Sequence, residues 1–141
     1  ILLGCASTLS AQDKGYWRAE SSTAKSITGD PGIPDTKLIM NFLSFPLAPI
    51  RTLTPAEGLA AFDVEASTGV GGNLYRLDIS ASRRFLHKNT LCGSEETQWM
   101  ATYTVNRSLY VDFFSGTDMP RLTFDALQNS PDLCGTFTYV R

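Results

Sequence analysis

The chain has 141 residues, 43% of them hydrophobic and 11% aromatic, which suits one domain with its own core and excludes a disordered chain. Only 18% of the residues are charged and the formal net charge is −2, so there is no broad electrostatic basis for binding nucleic acid or an anionic membrane. No apolar run approaches the roughly 18 residues that a membrane-spanning helix needs.

The first residues read differently from the rest. Ile1-Leu2-Leu3-Gly4-Cys5-Ala6-Ser7 resembles the end of a bacterial lipoprotein signal, in which a small residue precedes the cysteine to be acylated. The resemblance covers these few residues only, and it implies a lipid on Cys5 with membrane attachment through it. Two other readings stand beside it: a secretory signal cleaved after Ala6 or Ala11, and a hydrophobic first strand with a buried thiol at Cys5. Residues 1–15 are thus expected to be a signal remnant or a flexible tether, and residues 16–141 a single domain.

Within that domain, residues 28–36 (TGDPGIPDT) carry two glycines and two prolines and read as a loop. The stretch KLIMNFLSF (37–45) follows as one strand, ended by Pro46. TLTPAEGLAAF (52–62) holds the clearest helix signal: Thr54 as N-cap, Pro55 at the first helical position and Glu57 completing a capping box. Beyond it the period is close to two. Phe62, Val64 and Ala66 alternate with acidic residues, and after the glycine-rich turn STGVGGN, Tyr75, Leu77 and Ile79 alternate with Arg76 and Asp78. Trp99, Ala101, Tyr103 and Val105 alternate with Met100, Thr102 and Thr104. A hairpin at Asn106-Arg107 leads to Leu109, Val111 and Phe113, then Leu122, Phe124 and Ala126 read as a further strand, and GTFTYV as the last. One buried face per strand predicts an all-β fold: a small antiparallel barrel or two-sheet sandwich of about eight strands, with at most one short helix.

Cys92 and Cys134 share the stem Leu-Cys-Gly and stand 42 positions apart, each at a strand end. A disulfide between them is the natural reading in an exported protein. On the chain-entropy argument, a loop of this length stabilises the fold by roughly 4 kcal/mol. A metal site would need more ligands than one histidine, His87, provides, and no CxxC motif is present.

No catalytic set stands out. A serine or cysteine triad would have to use His87, and there is no Gly-x-Ser-x-Gly elbow or phosphate loop. The acidic pair Asp112 and Asp125 could meet across a hairpin, but paired exposed carboxylates are common. The most distinctive polar cluster is ASRRFLHKNT, where Arg83, Arg84, His87 and Lys88 form either a solvated loop anchored by Phe85 and Leu86 or a basic rim suited to an acidic partner or anionic glycan. Phe113 and Phe114 are adjacent, so one of them should face away from the core, forming with Tyr110 and Met100 either an exposed apolar contact patch or the lining of another layer.

No family resemblance extends over the folded region. The expectation is therefore a non-enzymatic, exported protein-binding domain, in the periplasm, at an outer membrane or secreted, of the inhibitor or envelope-accessory kind. It needs no cofactor, metal or nucleic acid. The competing expectations are a carrier holding an apolar molecule inside a barrel and, further off, a small hydrolase.

Overall fold

The structure, a computed structural model, describes residues 13–65 and 70–141. Among these residues the chain forms β1 (Gly15–Tyr16), β2 (Arg18–Ala19), β3 (Gly32–Ile33), β4 (Lys37–Met40), β5 (Leu43–Pro46) and β6 (Ala48–Thr52). These are followed by α1 (Pro55–Phe62), β7 (Val70–Ile79), β8 (Thr97–Val105), β9 (Ser108–Phe114), α2 (Phe124–Gln128) and β10 (Leu133–Val140). A wide helical turn, Ala24–Thr28, and a single tight helical turn, Leu86–Lys88, complete the regular structure.

The strands build two antiparallel sheets. One has four strands in the order β1-β3-β4-β5, and the other has six in the order β2-β10-β9-β8-β7-β6. The all-β expectation, as barrel or simple sandwich, is therefore corrected. The six-stranded sheet is open, because its edges β2 and β6 do not pair with each other, and the domain mixes sheets with helices. The edges are short, and Pro49 stands in β6, which limits further strand pairing there.

Both faces of the large sheet are covered, so the domain has three layers. Trp17, Met40, Phe45, Met100, Phe113 and Phe137 belong to the core between the two sheets. Leu53, Phe62, Trp99, Tyr103, Phe114 and Leu122 belong to a second core between the large sheet and the helical side of the domain. Burying the strands on both faces is the reason that one buried face per strand was an incomplete reading.

Local chemistry explains where the strand expectations failed. KLIMNFLSF is not one strand: Asn41 and Phe42 both adopt positive φ (53° and 65°) and turn β4 back onto β5, pairing Met40 with Leu43. Phe62 ends α1, whose capping box at Thr54 and Glu57 is formed on both sides. Leu122 to Ala126 do not form a strand either, because Thr123 accepts from the Ala126 N–H and starts α2. The glycine-rich segment is only partly covered: residues 66–69 lie outside the described residues, while Gly71 and Gly72 belong to β7.

Asn73 on β7 and Thr102 and Thr104 on β8 are polar residues that face inward and are buried. Asp13 is fully buried, and its carboxylate accepts from Asn73 Nδ2 (2.8 Å), Tyr75 Oη (2.8 Å), Thr102 Oγ1 (2.5 Å) and Thr104 Oγ1 (2.7 Å). Three of these donors converge on Oδ2 and Thr104 alone reaches Oδ1, so both carboxylate oxygens are engaged. The backbone carbonyl of Asp13 also accepts from the buried Trp17 indole at 3.0 Å. Burial, and then the negative charge of Asp13, raise the Tyr75 phenol well above its usual range, so it stays a donor.

Removing this carboxylate would strand four buried donors. Asp13→Ala is expected to cost about 3–5 kcal/mol. Asp13→Asn, which turns acceptor positions into donors, should also destabilise. Urea unfolding of both variants checks this.

Candidate functional site

Cys92 and Cys134 form a disulfide, with their Cα atoms 5.0 Å apart. It ties the connection before β8 to the start of β10. The expected lipid attachment finds no acceptor thiol in this part of the chain. The cysteines among the described residues are bonded to each other, so no thiol there is free to carry lipid, and Cys5 itself lies outside the described residues. No helix among the described residues is long and apolar enough to cross a membrane.

Arg83, Arg84, His87 and Lys88 are all exposed. Phe85 anchors their loop in the inter-sheet core, its ring 6.2 Å from that of Phe45. The Phe85 N–H donates to the Asn89 carbonyl at 2.7 Å and closes the loop. His87 and Lys88 take left-handed φ values of 56° and 63°, unusual for two successive non-glycine residues. His87 Nδ1 (3.1 Å) and Asn89 Nδ2 (3.0 Å) both hydrogen-bond the Ser26 carbonyl, which docks the loop against the Ala24–Thr28 turn. That turn adds the exposed Lys25 to the same region. Among the described residues, none of Arg83, Arg84, His87 or Lys88 forms an ion pair.

The apolar patch expected at Tyr110 and Phe114 is corrected. Phe114 is buried in the second core, and Tyr110 is half-buried with its ring 6.1 Å from that of Phe62. Helix α1 covers this face. It can approach so closely because Gly58 leaves room for the Tyr103 ring, which any Cβ there would strike.

The exposed aromatics lie elsewhere. Phe42, at the tip of the β4–β5 hairpin, is 100% exposed, and Tyr16 is 69% exposed. Tyr16 pairs with Gly32, and its ring lies over the space that a Cβ of residue 32 would fill. Phe42, Tyr16, Ile39 and Leu86 line one depression of about 300 Å³, together with the polar Thr28 and Asp30. Leu86 belongs to the basic loop, so an aromatic hairpin tip and a cationic loop share this part of the surface. Sequence reasoning found the basic loop and missed the tip. The available signal was Asn41 in the middle of an apolar run, because the first position of a two-residue hairpin turn favours asparagine.

Among the described residues, Asp112 is the carboxyl whose titration is displaced far upward. It is 1% exposed, and Thr136 Oγ1 donates to it at 2.6 Å. Burial raises its pKa to about 7, against the smaller lowering effect of the Thr136 hydrogen bond. Its proposed pairing with Asp125 is not a surface acid pair: Asp112 is buried in β9, whereas Asp125 stands exposed on α2. Among the described residues, no three His, Cys, Asp or Glu side chains converge to hold a metal. No known protein family, characterised protein or solved structure matches this chain.

The Asp112 shift has a defined sign. Between the unfolded value near 3.8 and the folded value of about 7, the folded state holds a proton that the unfolded state has released. Stability should therefore fall as pH rises through this window, by an amount on the order of 4 kcal/mol. Asp112→Asn keeps an acceptor for Thr136 and removes the titration. Relative to wild type, it should gain stability from pH 5 to pH 8, as measured by urea unfolding at both values.

Proposed function

We propose that this chain is an exported, non-enzymatic domain that binds another protein through the Phe42 hairpin tip and the adjacent basic loop. One observation carries the reading. Phe42 occupies a left-handed conformation that costs a non-glycine residue about 1–2 kcal/mol, and its side chain is wholly exposed, so the domain gains no packing in return. A solvent-exposed aromatic carried on an ordered two-residue turn is suited to fill a pocket on a partner, because the backbone beneath it needs no further ordering. Arg83, Arg84 and Lys88, on the loop whose Leu86 shares a depression with Phe42, favour an acidic partner surface and would speed encounter with it. The Cys92–Cys134 disulfide supports an oxidising compartment, periplasmic or extracellular.

A cargo inside a barrel has no comparable support, because the sheet is open and Trp99, Tyr103 and Phe137 are buried in the packed cores. The protein-binding reading predicts a separation of stability from binding. Phe42→Gly should leave stability unchanged or raise it by up to about 1 kcal/mol, since glycine adopts the turn without strain. A photo-crosslinking residue placed at Tyr16 should give one discrete protein adduct in the producing cells. Adding Phe42→Gly should abolish that adduct. Absence of an adduct, or its persistence without Phe42, would overturn the proposal.

A further inference from the structure

The second exposed apolar region lies on the opposite layer. Leu59 is 48% exposed and Phe124 is 65% exposed, and both line a cleft of about 690 Å³ beside α1 and the start of α2. Helix α1 uses Gly58 and Phe62 to pack on the sheet, where Tyr103 receives them. Its outer positions Ala56, Leu59 and Ala60 face the cleft. A helix that served only to cover the core would carry polar residues there. Leu122 and Phe124 supply further apolar lining from the segment that opens α2. The volume falls within the range of small-molecule sites, roughly 300–1,000 Å³.

The charges choose among apolar ligands. The lining includes two carboxylates, Glu57 and Asp63, and no basic residue. Glu57 is already engaged by Arg51, whose guanidinium donates to both carboxylate oxygens at 2.7 and 2.8 Å. That pairing holds the Glu57 carboxyl below its usual range. Asp63 is exposed and takes part in no ion pair among the described residues. It also stands at the C-terminal end of α1, where helix carbonyls concentrate partial negative charge. An anionic head group is disfavoured there, and a cationic one is favoured.

We infer that the α1–α2 cleft binds a small cationic amphiphile, its apolar body against Leu59 and Phe124 and its ammonium group toward Asp63. This rests on observations separate from the Phe42 surface and stands or falls independently of it. The test compares phenylbutylammonium, phenylbutanol and phenylbutyrate, which share a body and differ in head-group charge, by amide NMR titration of the whole chain. The ammonium should bind roughly threefold to fivefold more tightly than the alcohol, and the carboxylate more weakly still. Shifts should be confined to residues 54–63 and 122–124. Phe124→Ala changes a mostly exposed side chain and should weaken all three ligands, by about tenfold. Asp63→Asn keeps a residue that tolerates the left-handed cap and should remove the preference for the ammonium while leaving the alcohol unaffected. Equal binding of ammonium and carboxylate, shifts centred outside the cleft, or no saturation at millimolar concentrations would each overturn the assignment.

Discussion

The buried carboxylate of Asp13 is the contact on which the layered architecture depends. Stacking one sheet on another normally calls for two apolar inner faces, yet β7 and β8 present Asn73, Thr102 and Thr104 to the interior, and all are buried. A charge buried without partners is costly, and so are buried donors without an acceptor. Each deficiency removes the other when the segment before β1 crosses the sheet and delivers one side chain to both strands. The chain is then fixed at Trp17, whose ring is buried and lies 4.0 Å from the Arg141 guanidinium. Arg141 also donates to the Lys14 carbonyl, so the two ends of the described fold are tied together.

A second fixed point, the disulfide, lies at the edge of the same inter-sheet core, against which Cys134 packs. The long connection between β7 and β8 carries the basic loop, and the Cys92–Cys134 link holds the end of that connection against β10. With Phe85 in the core and the Ser26 carbonyl receiving His87 and Asn89, the cationic side chains are displayed on a constrained loop. The hairpin tip is constrained by different means: Met40 and Phe45 are buried on either side of the turn that exposes Phe42. The fold thus anchors the backbone beneath the side chains it leaves exposed, which lowers the ordering cost of any contact made there.

The two sides of the large sheet divide their work. Its inter-sheet side is closed by the polar network and by aromatic packing such as the edge-on contact of Phe113 with Phe137, at 5.4 Å. Its helical side is closed by α1 but leaves Leu59 and Phe124 in contact with solvent. Asp112 lies in the middle strands between these regions, its pKa raised to about 7 by burial. It is enclosed, and its titration couples pH to stability.

Much of this was legible along the chain. The α1 capping box, the Asn106-Arg107 turn and the alternation in β8 and β9 are local properties, and local chemistry specifies them. The leucine-cysteine-glycine stems and the cationic stretch Arg83–Lys88 were equally plain. What the sequence could not reveal was which polar residues were interior. Thr102 and Thr104 look solvent-facing beside Trp99 and Tyr103, because alternation records that two faces differ without recording what covers each one. Only the arrival of Asp13, some 60 to 91 positions away, makes the polar face an inner one. The same reason hid the sites. Phe114 was as apolar as Phe42 and Phe124, and tertiary packing alone decided that the first would be covered and the other two left exposed.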